Sequence, residues 1–269
     1  MKRLLLVMDT TESARPSLDL SLDLARGLRA SLSVLRITDP VLKETEGYIS
    51  HEHKAEVAAI TQVRGDRQLS EVVRLALEAK VTCRPLIGSG DVIAAIMAEA
   101  DEADLLIIGR RGPGIDLAYG MDESIVESFL RQATIPVVLA GTTFRSVRNI
   151  LVAFDGQASS VKALTGVVDL ILGWRGDPLI PRVVCVGEEE ETAPMAEQAY
   201  QIAAGNHIDI GVFKENGKPE EVITNMVVEK DIDLLAMGIY SRTGLRQKLF
   251  GSVTEGVLSK LDCSLLVCH

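Results

Sequence analysis

Basic residues are scarce in this chain of 269 residues. Lys and Arg number 28 against 38 Asp and Glu, which gives a formal net charge of −10. A surface that holds nucleic-acid phosphates needs clustered Lys and Arg, so this balance argues against a general nucleic-acid-binding protein. One local cluster, Arg242, Arg246 and Lys248, still permits a small anionic ligand.

Long hydrophobic runs and paired cysteine motifs are also missing. The apolar run Leu4–Met8 meets Asp9 too early for the hydrophobic region of a signal peptide, and no later run has the length of a membrane span. The four cysteines show no C-x-x-C spacing, which predicts buried free thiols in a reducing compartment. We therefore expect a cytoplasmic protein that does not bind membranes.

Groups that could carry catalysis do not form a recognisable set. His207 has no neighbouring Ser or Cys nucleophile, and no carboxylate pair marks a site. His51-x-His53 suggests a metal site, but histidines two positions apart do not share a helix face. A solvated polar helix is the favoured interpretation, so the sequence predicts no catalytic residues and no metal site.

What the chain has is an internal repeat. Its length suits two α/β domains, and 47% apolar residues supply ample core. Three apolar segments recur in the same order: Leu4–Asp9 matches Ile150–Asp155, Asp104–Gly109 matches Asp233–Gly238, and Ile135–Leu139 matches Cys263–Val267. Such a repeat indicates duplication.

Short apolar runs that alternate with helical patterns predict buried parallel strands. The predicted strands are Leu4–Met8, Leu32–Ile37, Val81–Leu86, Leu105–Ile108 and Pro136–Ala140, then Ile150–Phe154, Arg182–Val186, Ile208–Phe213, Leu234–Met237 and Leu265–Cys268. Predicted helices include Arg15–Arg29, Ser70–Ala79, Val92–Ala100 and Ser124–Gln132. The predicted fold is α/β, with two doubly wound, mainly five-stranded parallel-sheet domains at 1–143 and 147–269, joined near Gly141–Ser146. Because their last strands would leave open apolar edges, we expect those edges to be covered.

The stretch 237–254 contains the strongest ligand signal. A strand, Leu234–Met237, runs into a loop with small residues at both ends, and a helix pattern begins at Gly251-Ser252. Glycine permits close approach of the backbone, and the first-turn amides of a helix are ready donors to a phosphate.

The spacing Gly238-x2-Ser241-x9-Gly251-Ser252 resembles the Gly-x2-Gly-x9-Gly-Ser/Thr loop of the universal stress protein family, with Ser in place of the second Gly. Over both halves the chain is similar to tandem members of that family. Dimeric single-domain relatives pair their last strands across a two-fold axis, so the resemblance implies that the last strands of the two halves pair antiparallel. The resemblance implies an adenine-nucleotide-binding type of α/β fold, with ATP and Mg as cofactor. It implies these binding residues: Ala153, Phe154, Asp155, Val186, Met237, Gly238, Tyr240, Ser241, Gly251, Ser252, Val253 and Thr254.

Two of these residues have simpler interpretations. Ser252 to Glu255 is a capping box, which could serve only its own helix. Asp155 could be a turn residue only. The position of Asp155 after a strand, and the glycines at family spacing, favour a ligand role.

The first half offers an internal comparison. Ser124 aligns with Ser252, so Glu123 stands opposite Gly251. A carboxylate there would repel a phosphate by about 4 kcal/mol at 4 Å in an effective dielectric near 20. The first half keeps Asp9 and the sequence from Gly109 to Gly112, but it is predicted either to bind no ATP or to bind a different ligand.

These patterns predict a stress-response regulatory protein with ATP in its second half and an unknown protein partner. The chain would be an intramolecular pseudo-dimer that could dimerise further. An adaptor of the same fold without nucleotide binding is the alternative. An enzyme of the related nucleotide-hydrolase group is disfavoured, and any ATP hydrolysis would be slow.

Overall fold

The computed structural model describes the backbone of residues 1–8, 15–38, 51–110, 130, 132–239, 253, 256–257 and 260–268. Side chains are described for these residues except 38, 51–62, 64 and 65. Ten strands are described: β1 (Arg3–Met8), β2 (Ser31–Thr38), β3 (Cys83–Ser89), β4 (Leu105–Gly109), β5 (Val137–Ala140), β6 (Asn149–Ala153), β7 (Ile180–Val186), β8 (Gly211–Glu215), β9 (Leu234–Gly238) and β10 (Ser264–Cys268). The helices with described bounds are α1 (Arg15–Leu28), α2 (His51–Glu78), α3 (Val92–Ala100), α4 (Ala158–Gly173), α5 (Glu189–Ala204) and α6 (Pro219–Glu229).

The ten strands form one sheet in the order β3-β2-β1-β4-β5-β10-β9-β6-β7-β8. All neighbours are parallel except β5 and β10. Helices α1, α2, α4 and α5 contribute to the core on one face, and α3 and α6 contribute to the core on the other. The doubly wound α/β architecture is confirmed, and the second half repeats the strand order of the first.

The repeat extends to side-chain contacts at the start of the strands. The carboxylate of Asp104 accepts hydrogen bonds from the backbone N–H groups of Lys2 and Arg3. Asp233, its counterpart, accepts from Arg148 and Asn149 at 3.1 and 2.8 Å. Both halves therefore fasten the first strand to the fourth in the same way.

The antiparallel pairing of the two last strands is confirmed. Leu265 lies opposite Leu139, and Val267 lies opposite Val137. Arg110, which is only 1% exposed, crosses this joint. Its guanidinium donates to the carbonyls of Ala140, Leu261 and Cys263, the last at 2.7 Å. Because these acceptors come from both halves, Arg110 fixes one half to the other.

The segment that connects the halves is held by carboxylates. Asp262 accepts hydrogen bonds from the backbone and hydroxyl of Thr142, each at 2.7 Å, and from the hydroxyl of Thr143 at 3.0 Å. Burial alone would raise the pKa of Asp262, but these hydrogen bonds outweigh burial and hold its pKa below the ordinary value. Asp23 of α1 accepts from Ser146 at the other end of the segment.

Several predicted boundaries are wrong. Helix α2 begins at His51 and continues through Ser70, where the predicted helix started, so Gly65 does not interrupt it. Strand β3 is shifted to Cys83–Ser89, and β8 is shifted to Gly211–Glu215. Two predicted helix starts are confirmed: Asp91 caps α3 by accepting from the Ala94 N–H, and Pro219 is the first residue of α6.

The cysteines are free, with Cys185 and Cys268 buried and Cys83 and Cys263 partly buried. Among the helices that the structure describes, none combines the length and the hydrophobicity that a membrane span requires.

Candidate functional site

The predicted binding residues of the second half meet at the carboxyl edge of the sheet. Strand β6 lies between β9 and β7, with Ala153 opposite Met237 on one side and Val184 on the other. The chain leaves β6 for β7 on one side and reaches β9 on the other, so this is the point where the strand order reverses. Such switch points are where open α/β sheets bind ligands.

The apolar members of the predicted set share one face. Ala153, Val186, Met237 and Val253 all pack in the same core cluster, the one to which α6 contributes. Met237 is buried, and the other three are partly buried at its margin. The sequence placed them on different strands and a helix, and the fold brings them to one side of the sheet. Phe154, by contrast, is buried in the cluster on the opposite face.

Asp155 follows β6 and is exposed. Its Oδ1 accepts a hydrogen bond of 2.9 Å from the Gln157 N–H, which closes a turn before α4. Its own N–H donates to the Ser160 hydroxyl at 3.4 Å. The structure therefore gives Asp155 the turn role that sequence analysis held as an alternative, and it leaves the carboxylate accessible at the crevice.

Gly238 has a packing reason that the sequence did not reveal. A Cβ on Gly238 would lie 2.5 Å from the backbone carbon and the hydroxyl oxygen of Ser159 in α4. The same contact occurs in the first half, where a Cβ on Gly109 would lie 3.1 Å from the Ser17 hydroxyl oxygen. Close approach of a helix therefore requires glycine at the end of this strand, independently of any phosphate.

Five predicted residues fall outside the described part of the chain: Tyr240, Ser241, Gly251, Ser252 and Thr254. Val253 is described and is helical, as the helix pattern predicted. The first-half loop residues Asp9 and Glu123, and the side chains of His51 and His53, also lie outside it. Among residues whose side chains are described, no three His, Cys, Asp or Glu are grouped as a metal site requires.

The thiols near the crevice are not activated. Burial, together with the nearby Asp155 carboxylate, raises the pKa of Cys185 to about 11. Burial likewise raises the pKa of Cys268 to about 12, which Lys162 only partly opposes. Since the thiolate is the nucleophile, these two cysteines are inert at neutral pH.

The first half differs at the corresponding edge. Arg36, at the end of β2, is 1% exposed and lies opposite Met8. By sheet register its counterpart in the second half is Cys185. The guanidinium of Arg36 reaches the carboxylate of Asp66 in α2 at 3.7 Å. A buried charge thus stands in the first half where the second half has a neutral thiol, a difference that sequence analysis missed.

Arg110 corrects another expectation. The first half was predicted to keep the start of the phosphate loop at 109–112. The Arg110 side chain is instead buried in the joint between the halves. Burial lowers its pKa, and its donors are used by carbonyls instead of a ligand.

A cavity of about 750 Å³ lies at the opposite, amino edge of the sheet. Helix α1, the connecting segment and the turn after α4 line it, and Trp174 enters it from that turn. The benzo edge of Trp174 packs so closely on α1 that a Cβ on Gly27 would lie 2.3 Å from it. This cavity contains none of the predicted binding residues.

A protein-family model matches both halves of the chain. The model described as "Universal stress protein family" matches residues 1–140 and again 146–269. The chain belongs to the universal stress protein family.

A universal stress protein of Synechocystis, Slr1230, is 28% identical over 169 residues, which are 61% of this chain and 57% of that protein. The chain thus spans 57% of the length of this curated relative. Universal stress protein YxiE of Bacillus subtilis is 27% identical over 142 residues, 44% of this chain and 96% of that protein.

Solved structures of universal stress proteins confirm the tandem fold. A universal stress protein from Archaeoglobus fulgidus superposes with a TM-score of 0.76 at 17% identity, covering 99% of this chain and 95% of that one. A protein from Pseudomonas aeruginosa, described as a putative universal stress protein, gives a TM-score of 0.65 at 19% identity, covering 100% and 93%. At these identities the likeness concerns the fold alone.

Proposed function

We propose that the chain is a stress-response regulatory protein that binds ATP, with Mg, in its second domain, 147–269. The first domain, 1–143, binds no ATP. The observation that carries this proposal is the convergence of Ala153, Val186, Met237 and Val253 on one face at the switch point, beside the exposed carboxylate of Asp155. Family membership and the glycine-spaced sequence after β9 support it.

Each domain supplies a different environment for a nucleotide. The second domain combines neutral, partly apolar strand ends with a loop that contains Gly251 and three basic residues. The first domain has Glu123 in place of Gly251 and the buried Arg36 in place of Cys185. Calorimetric titration with Mg-ATP should therefore give at most one site per chain, and two equivalent sites would contradict the proposal.

Paired substitutions test which domain binds. Gly251→Glu copies the first-domain residue into the second and should abolish ATP binding without loss of fold. Asp155→Asn keeps an oxygen for the Gln157 N–H but removes the negative charge that would attract the magnesium ion of Mg-ATP, so it should weaken binding, whereas Asp9→Asn should leave it unchanged. Ser252→Ala removes only a cap worth about 1 kcal/mol, so it should do less than Gly251→Glu. Unaltered affinity in Gly251→Glu would show that this loop does not hold phosphate.

A non-nucleotide adaptor is the second candidate. Its support is that Gly238 is explained by the contact with Ser159 and Asp155 by its turn, so neither needs a ligand. Ser241 in place of glycine favours it as well. In that case calorimetry shows no heat of binding with Mg-ATP, and mass spectrometry of the purified protein finds no bound nucleotide.

A further inference from the structure

The carboxylate of Glu220, in α6, packs against the helix that follows the glycine-spaced sequence. Its residues Val253, Gly256, Val257 and Lys260 are described as helical. Glu220, in the first turn of α6, lies so close that a Cβ on Gly256 would be 2.1 Å from its carboxyl carbon and 2.4 Å from both carboxylate oxygens. The carboxylate of Glu220 therefore occupies the space that any side chain at position 256 would need.

The same carboxylate is paired one turn further along. Lys260 Nζ lies 2.6 Å from Glu220 Oε1, and the two side chains are 50% and 33% exposed. This hydrogen bond raises the pKa of Lys260. A cation in the last turn of the helix also suits the helix dipole. Glu220 thus holds the helix by steric fit at Gly256 and by charge at Lys260.

The sequence of the first half does not carry the residues that make this contact. Asp91 and Lys218 are the N-cap residues of the equivalent helices α3 and α6, so Ile93 stands opposite Glu220. Ser128 and Gln132 stand opposite Gly256 and Lys260. An isoleucine side chain has no carboxylate to pair with a cation. The carboxylate, the glycine and the lysine therefore occur together only in the half whose loop ends in Gly251-Ser252.

We propose that Glu220 is a positioning residue for the phosphate loop. By packing against Gly256 and pairing with Lys260, it sets the direction of the first-turn amides of that helix. The proposal rests on the proposed ATP site. The amides of a helix N-terminus bind phosphate only if they are correctly aimed. Gly256, against which the Glu220 carboxylate lies, follows Ser252 by four positions in the sequence.

The experiment compares ATP with adenosine, which has no phosphates. Glu220→Ala should weaken Mg-ATP binding about fivefold, the scale of one partly exposed ion pair, and should leave adenosine affinity unchanged. A general loss of structure would weaken both ligands. Glu221→Ala is the matched control, since it removes the neighbouring carboxylate of the same helix turn, which pairs with Lys218 at 3.0 Å, and it should leave both affinities unchanged.

A double-mutant cycle tests the geometry. Gly256→Ala should weaken ATP binding in the wild-type background because its Cβ displaces the Glu220 carboxylate. In Glu220→Ala it should cause no further loss, because the obstacle is gone. Charge reversal of both partners, Glu220→Lys with Lys260→Glu, should recover part of the affinity that either reversal loses.

The outcomes separate two kinds of failure. If the wild-type chain binds neither ATP nor adenosine, the proposed function is wrong. If it binds ATP and Glu220→Ala binds it equally well, or if adenosine affinity falls in parallel with ATP affinity, the positioning role of Glu220 is wrong.

Discussion

Replacing Arg110 by Met should weaken the joint between the two halves. Arg110 is 1% exposed, and its guanidinium donates to three backbone carbonyls, those of Ala140, Leu261 and Cys263. Methionine fills much of the same space with a flexible apolar chain, but it donates no hydrogen bond. The carbonyls of Leu261 and Cys263 then lose a buried partner.

The expected cost follows from these losses. A buried acceptor that loses its partner costs about 1–3 kcal/mol, so two carbonyls give about 2–6 kcal/mol. Part of this is offset because the charged guanidinium no longer has to be desolvated, and burial already lowers the pKa of Arg110. We expect a net loss of about 3 kcal/mol in the free energy of unfolding, a large share of the stability of an ordinary domain.

The assay is urea unfolding at neutral pH, followed by far-ultraviolet circular dichroism and by tryptophan fluorescence. Trp174 is the single tryptophan and packs against Gly27 of the other half, so its emission reports on the joint. Arg148→Met is the matched control, because Arg148 makes an exposed ion pair with Asp177 at 3.0 Å. The control should lose less than about 1 kcal/mol. Equal losses in the two variants would refute the role assigned to Arg110.

Three further outcomes are expected. Gly238→Ala should cost about 2 kcal/mol because its Cβ would lie 2.5 Å from Ser159, and Gly109→Ala should cost less because its nearest neighbour is at 3.1 Å; thermal unfolding of both variants checks this. Asp262→Asn should lose about 1 kcal/mol near neutral pH, since hydrogen bonds from Thr142 help to keep the Asp262 pKa low. Stability from a lowered pKa is complete above about pH 4 and vanishes as pH falls through the folded value, so the penalty should shrink in acid. The two halves expressed separately should self-associate or be poorly soluble, and two stable monomers would rule out the β5–β10 pairing as their main joint.

The sequence revealed the buried strands because their signal is local. Runs such as Leu105–Ile108 are apolar throughout and recur in the second half, so periodicity and repetition were enough to place them. The antiparallel joint was predicted from two arguments together, the apolar last strand of each half and the resemblance to dimeric relatives. Helix α2 was predicted as separate pieces, a polar helix around His51 and a helix from Ser70, because Gly65 and Asp66 between them are poor helix formers.

The candidate site was partly accessible to sequence reasoning. Ala153, Val186 and Met237 end three apolar strands, and parallel strands bring their carboxyl ends to one edge. The reason for Gly238 was not accessible, because Ser159 lies far away in the chain and approaches only through the packing of α4 on β9. The role of Arg110 in the joint was not accessible for the same reason. Its acceptors, the carbonyls of Leu261 and Cys263, are some 150 positions away in the chain, and nothing in the local sequence indicates that this guanidinium will be buried.

The position of β10 has a consequence for how the chain is made. Ribosomes produce this strand after the other nine strands described, yet it lies at the centre of the sheet, between β5 and β9. Until β10 leaves the exit tunnel, the nascent chain holds two open apolar edges, each able to pair with another nascent chain. The two halves can be joined into one sheet only after Ser264–Cys268 has emerged and inserted between β5 and β9. A stop codon just before Ser264 would leave both halves nearly complete but would remove β10, the strand through which the two halves pair.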